Sequence, residues 1–150
     1  MQKGFWNHSG ISWQDLKNEP SAEGHTPYDF LHGCCDVFAI ILHEKYGYSL
    51  EYVEWLGLVH AYCVAKHDNR EYYIDVRGVC SDYNTFFKEF DVFGVQGKAK
   101  VYRIDNKKDI PSQFLYSEKA WQDMSDYRKA AENIISRYDY YALNEPINNL

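Results

Sequence analysis

Three residues of the types that catalyse acyl transfer occur in order along the chain: Cys35, His60 and Asp75. In such a set a thiolate attacks the acyl carbon, an imidazole moves the proton and a carboxylate orients the imidazole. Cys35 opens an apolar run, and a thiol at a helix N-terminus gains thiolate stabilisation from free backbone N–H groups and the helix dipole. The same N–H groups can stabilise an oxyanion. The pattern therefore predicts a catalytic triad.

The element that must carry the nucleophile is a helix beginning at Cys35. Val37, Phe38 and Leu42 fall on one helical face, and Gly47 supplies a C-terminal stop. Of the two adjacent cysteines, we expect Cys35 and not Cys34 to be the reactive thiol, because only a sulfur next to the free helix N–H groups gains this stabilisation.

A β-hairpin is predicted to carry the other two members. Apolar runs at 58–65 and 71–76 flank a polar Asp-Asn segment, which is typical of a hairpin turn. With the turn near Asp68, His60 and Asp75 are close to cross-strand partners and share a face of the sheet. Geometry and chemistry thus agree on the same pair.

The remaining sequence predicts one α+β domain over residues 1–150. Its N-terminal segment, 1–28, is predicted to be irregular, and two further strands are predicted at 50–55 and 101–104. Additional helices are predicted at 81–90, around 114–124 and at 125–142. Ser81 is the expected N-cap of the 81–90 helix. The predicted fold is an N-terminal catalytic helix packed on an antiparallel sheet, covered by C-terminal helices.

The motifs around these residues resemble a known superfamily. Residues 33–39, Gly-Cys-Cys-Asp-Val-Phe-Ala, are similar to the nucleophile motif of papain-like peptidases. The segments at His60 and at Asp75 are similar to the histidine and aspartate strands of the papain and transglutaminase superfamily. The resemblance covers residues 33–78. An Asp in third place is nearest to the transglutaminase-like and glutamine-deamidase-like branches, and to small bacterial or phage proteins of that character.

This resemblance implies a papain-like or transglutaminase-like core and thiol-dependent chemistry on an amide. Glutamine deamidation, amide or peptide hydrolysis and acyl transfer share the same steps, so the triad does not choose among them. A protein or peptide substrate is expected, with no cofactor. The alternative is a non-catalytic binding or inhibitor protein, an effector or phage-derived chain, that keeps the scaffold and uses its tyrosine-rich surface, with 14 tyrosines, as an interface.

The oxyanion donor departs from the papain pattern. Papain-like peptidases place a Gln six residues before the cysteine, whereas this chain has Asp29, which only accepts hydrogen bonds when ionised. Substitute donors are backbone N–H groups or the nearest polar side chains, which are His32, Asn18 and Gln14. Arg77 either binds a substrate carboxylate or braces the acidic Asp75, and bracing is the favoured role.

The other cysteines are predicted to be free thiols in the core: Cys34, Cys63 and Cys80. Adjacent cysteines are awkward for a disulfide framework, and no Cys-x-x-Cys pair indicates zinc. The spacing of His60 and Cys63 is the one short ligand-like pattern. We therefore expect no metal.

Charge and hydropathy exclude two classes of partner. The net charge of −6 and the estimated pI of about 5.4 disfavour nucleic-acid binding. The N-terminus has no signal-type apolar region, and no run reaches the roughly 18 apolar residues of a membrane span. We expect a cytoplasmic protein, or one delivered to a host cell without a Sec-type signal.

Overall fold

The computed structural model describes residues 13–21, 24–31, 33–55, 58–87, 100–105, 109 and 125–143. Its helices are α1 (Trp13–Leu16), α2 (Pro27–Leu31), α3 (Cys35–Tyr46), α4 (Tyr83–Phe87) and α5 (Ser125–Arg137), followed by a 3-10 helix (Asp139–Tyr141). Its strands are β1 (Ser49–Trp55), β2 (Leu58–His67), β3 (Arg70–Asp75), β4 (Gly78–Cys80) and β5 (Lys100–Ile104). Within these residues, no helix is long and apolar enough to cross a membrane.

The five strands form one antiparallel sheet in the order β4-β3-β2-β1-β5. The N-terminal helix α3 packs on one face of this sheet, chiefly against β2, and the C-terminal helix α5 packs against α3. The chain is therefore an α+β protein, as predicted, with a helix that precedes the sheet and another that follows it.

Two apolar layers enclose the sheet. On the α3 side, the strands contribute Leu50, Ala61, Cys63 and Ile74 to a core shared with α3 and α5. On the other side, Val53, Tyr62 and Val64 pack with Cys80, Phe86 and Phe87, so that α4 covers the second face. Neighbouring residues of β2 thus project to opposite sides, as the two-residue period of a strand requires.

The hairpin of β2 and β3 closes with a two-residue turn at Asp68 and Asn69. Both residues have positive φ, 52° and 63°, which Asp and Asn tolerate better than most residues and which a type I′ hairpin turn requires. The turn fixes the pairing of His67 with Arg70. The predicted hairpin and turn are confirmed.

Helix α3 begins and ends where the sequence predicts. Cys35 is its first residue, and Gly47 ends it in the left-handed conformation, with φ 75° and its N–H bonded to the carbonyl oxygen of His43. The first two turns are buried, from Cys35 through Leu42. The helix start therefore lies inside the protein.

Several short elements differ from the prediction. Segment 1–28 was expected to be irregular, but it contains α1 and the start of α2, and β4 was not predicted; elements of three to five residues are too short to show a periodic pattern. Helix α4 begins two residues after Ser81, where the Asp82 carboxylate accepts a hydrogen bond from Thr85. The predicted helix at 114–124 lies outside the described residues.

Candidate active site

The position of Cys35 is set by the loop before it and the strand beneath it. Gly33 has φ 128°, a conformation that favours glycine, and the Cys34 N–H donates to the carbonyl oxygen of Asp29 at 3.0 Å. These features place Cys35 at the first residue of α3. Its Sγ accepts a hydrogen bond from the backbone N–H of Ala61 at 3.4 Å, so the sulfur lies beside β2, one residue along the chain from His60.

The Cys35 thiol is buried, which changes its acid–base behaviour. Only 8% of the residue is exposed. Burial raises the pKa of the thiol to about 12, and the negative charges of Asp36 and Asp75 add to the effect, while the Ala61 N–H opposes it. The sequence predicted a lowered thiol pKa; that expectation is wrong, because desolvation outweighs the helix N-terminus. The resting form is the neutral thiol.

His60 and Asp75 are in direct contact. His60 Nε2 lies 2.9 Å from Asp75 Oδ2, and the two residues are 1% and 2% exposed. An ionised carboxylate can only accept, so the hydrogen-bonded nitrogen is Nε2–H and the basic nitrogen of the neutral ring is Nδ1. Continuing the β2–β3 register by one pair puts Asp75 level with Tyr62 and diagonal to His60. The sequence predicted that they would be close to cross-strand partners, and the observed offset of two residues keeps both on one face.

Arg77 braces Asp75 through several hydrogen bonds. Its Nη2 donates to Oδ2 at 2.7 Å, its Nε lies 3.1 Å from both oxygens, and its backbone N–H donates to Oδ1 at 2.9 Å. Burial would raise the pKa of Asp75, but the Arg77 charge and the His60 contact outweigh it and lower the pKa to about 2. Asp75 is thus a buried carboxylate anion.

Since Arg77 is 1% exposed and directed at Asp75, its contacts fit the favoured bracing role and not substrate binding.

The face on which His60 lies bears on the third contact of the triad. Its ring packs beside Tyr62 and Phe86, with ring centroids 6.1 and 6.2 Å away, on the side of the sheet that α4 covers. Cys35 belongs to the layer on the other side. Cys35 and His60 thus lie on opposite sides of β2, although the Cys35 sulfur accepts a hydrogen bond from the N–H of Ala61, the residue next to His60. The contact of His60 with Cys35 stays a prediction.

Within the part of the chain that it describes, the structure does not bring together the three side chains that were predicted as oxyanion donors. Asn18 is exposed, His32 lies outside the described residues, and so does the side chain of Gln14. Asp29 accepts a hydrogen bond from the Thr26 N–H at 3.0 Å and lies 3.7 Å from His25 Nδ1, so it stabilises the start of α2. Backbone N–H groups at the start of α3 are the remaining donors of the predicted set.

The other three cysteines are buried free thiols. Cys63 donates to the carbonyl oxygen of Ala39 at 3.1 Å, and Cys80 to that of Asp82 at 3.2 Å. Burial raises the pKa of Cys34 and of Cys80 to about 12. His60 and Cys63 project to opposite faces of β2, so they cannot share a metal ion. Among the described residues, no group of three His, Cys, Asp or Glu side chains is arranged to hold one.

A cleft of about 420 Å³ opens at the far end of α3, away from Cys35. Its wall combines the end of α3, the first half of β1, the β2–β3 hairpin and β5, with Tyr46, Ser49, Glu51, Lys66, Glu71 and Arg103 among the lining residues. This cleft was not predicted from the sequence. The usable signal was the charge pattern of the strands, since Glu51 pairs directly with Arg103 across β1 and β5.

Comparisons with protein-family models, curated proteins and solved structures give no match for this chain.

Proposed function

We propose that the chain performs thiol-dependent acyl chemistry on an amide, with Cys35 as nucleophile, His60 as base and Asp75 as the orienting carboxylate. The observation that carries the proposal is the buried 2.9 Å contact of His60 with Asp75, next to the Ala61 N–H that holds the Cys35 sulfur. Burial is the main cause of the raised pKa of the Cys35 thiol, and the Asp75 carboxylate adds to it, so Asp75 is near enough to the sulfur to act on it. A papain-like arrangement of helix and sheet is part of this proposal.

The chemistry starts from a neutral pair. As the Cys35 sulfur bonds to the carbonyl carbon, its proton passes to Nδ1 of His60, and the carbonyl oxygen becomes an oxyanion facing the N–H groups at the start of α3. His60 then gives the proton to the leaving nitrogen, and the C–N bond breaks to leave a thioester. Water or an amine, deprotonated by His60, attacks the thioester and releases the thiol. Asp75 keeps the ring oriented throughout.

Two variants of adjacent cysteines test the proposal. Ammonia release from glutamine side chains of an unfolded protein, and cleavage of a fluorogenic peptide, measure the two main reactions. We expect Cys35→Ala to abolish the activity and Cys34→Ala, the matched control, to retain most of it, because both thiols are buried but only Cys35 is bonded to β2. Mapping the acylated residue by mass spectrometry after an acid quench identifies the nucleophile, and loss of the adduct on treatment with hydroxylamine, which cleaves thioesters, confirms the bond type. Full activity in Cys35→Ala would contradict the proposal.

A non-catalytic binding protein is the second candidate, and two observations favour it. The cleft lies at the opposite end of α3 from Cys35, and the His60 ring packs in an aromatic layer across the sheet. In that case, Cys35 is an inert core thiol. An activated peptide ester, used as an acyl donor, separates the two candidates: the acyl mechanism predicts a covalent acyl adduct on Cys35, whereas a binding protein forms none.

A further inference from the structure

The environment of Asp75 differs from that of a simple His–Asp pair, because a buried cation binds the same carboxylate. Besides its bonds to Asp75, the Arg77 guanidinium donates to the carbonyl oxygen of Phe86 at 3.1 Å and lies 4.9 Å from the centre of that ring. Helix α4 therefore fixes the guanidinium from one side, and the carboxylate fixes it from the other. The position of the guanidinium is therefore set by contacts on both sides.

Charge balance follows from these contacts. A carboxylate beside a histidine ordinarily stabilises the imidazolium form. Here, the single negative charge of Asp75 is already matched by Arg77 at 2.7 Å, so protonation of His60 adds a second positive charge next to one anion. The other titratable groups that interact with this cluster are Cys35 on α3 and, through it, the adjacent Asp36, together with Tyr62 on β2, Cys80 on β4 and Tyr141 in the 3-10 helix. Of these, only Asp36 is a further carboxylic acid.

We propose that Arg77 is a positioning residue that neutralises Asp75 and thereby keeps His60 as the neutral Nε2–H tautomer, ready to accept a proton at Nδ1. The catalytic role of Arg77 rests on the proposed function, but the protonation state of His60 can be measured whether or not that function is correct. The reaction then begins from a thiol and an imidazole, and not from a preformed thiolate–imidazolium pair. The proton moves from Cys35 to His60 only as the sulfur–carbon bond forms, so atoms and charge balance within that step.

Long-range proton–nitrogen correlation spectra of the nitrogen-15-labelled full chain report the ring directly. At pH 7, without substrate, we expect the His60 signals of a neutral ring protonated at Nε2. In Arg77→Met, which removes the charge at similar length, the titration midpoint of the ring moves up by about one to three pH units, since Asp75 now faces His60 alone. Arg77→Lys keeps the charge and leaves the midpoint near that of the parent.

Arg128→Met is the matched control for loss of one positive charge. Arg128 binds Glu44, which lies nine residues along α3 from Cys35, or roughly 13 Å at 1.5 Å per residue. We expect no movement of the His60 midpoint in this variant. An equal shift in Arg128→Met and Arg77→Met would overturn the proposal, and so would an imidazolium ring in the parent at pH 7.

The parent spectrum and Arg77→Lys decide the question if Arg77→Met does not fold. A parent imidazolium, or a midpoint in Arg77→Lys that rises by more than one pH unit although the charge is kept, overturns the inference. Its failure is distinct from failure of the proposed function: a neutral Nε2–H ring together with a fully active Cys35→Ala protein removes the acyl chemistry and leaves the electrostatic role of Arg77 standing.

Discussion

Replacing Asp75 by Asn should change the acid sensitivity of the protein in a calculable way. Burial opposes ionisation of Asp75, but Arg77 and His60 bring its pKa from an ordinary 3.8 to about 2. A difference of about two pKa units corresponds to roughly 2 to 3 kcal/mol of stability. Because the folded-state pKa is the lower one, this contribution is present in full above pH 4 to 5 and is lost as the pH falls towards 2.

The measurement is urea unfolding of the parent and of Asp75→Asn between pH 5 and pH 3, below the range in which unfolded histidines titrate. At pH 5 the variant should be less stable by about 3 to 5 kcal/mol, because the buried Arg77 loses its counter-charge. Linkage predicts that the parent loses about 1 kcal/mol of the Asp75 contribution by pH 3, so the gap between the two proteins narrows by that amount.

Asp105→Asn is the control for this experiment. Asp105 also faces an arginine, with 3.7 Å between its Oδ1 and Arg103 Nε, but both side chains are more than half exposed. An exposed ion pair contributes at most about 1 kcal/mol, so the gap for this variant should be small and nearly independent of pH. A gap for Asp75→Asn that stays constant from pH 5 to pH 3 would refute the reasoning about its buried ion pair.

Two further substitutions test the framework that positions the site, both by urea unfolding at pH 7. Phe38→Ala should cost about 3 to 5 kcal/mol, because the ring is 1% exposed and packs between Phe30 and Tyr141; a cost below 1 kcal/mol would contradict this packing. Gly47→Ala should cost about 1 to 2 kcal/mol from the left-handed backbone alone, since the added Cβ meets no atom within 4 Å; an unchanged midpoint would exclude that conformation.

The parts of the fold that were predictable are those fixed by local chemistry. The Asp68–Asn69 turn and the Gly47 stop each depend on a backbone conformation that few residue types adopt, so the sequence shows them directly. The face shared by His60 and Asp75 was also predictable, because the two-residue period survives an even shift of register. The exact pairing of the two strands was not predictable, because a turn placed one residue earlier or later changes which residues pair.

The burial of Cys35 could not be predicted from local pattern. It results from contact with β2, where Ala61 lies 26 residues farther along the chain, and no short-range periodicity encodes that contact. The bracing of Asp75 by Arg77 was predictable, because the two residues are two positions apart in the sequence and opposite in charge. The contact with the Phe86 carbonyl, nine residues from Arg77, again needed the folded chain.

The magnitudes of two opposing effects decide how Cys35 can react. A helix N-terminus stabilises a negative charge by typically 0.3 to 1 kcal/mol, and by about 2 kcal/mol in favourable cases. Burial and nearby carboxylates raise the pKa of the Cys35 thiol from 9.0 to about 12, which corresponds to roughly 4 kcal/mol against the thiolate. The helix alone therefore cannot supply the nucleophile. Cys35 needs a base in contact with its proton, and within the predicted triad that base is His60, so a Cys35 that does not reach His60 is an inert core thiol.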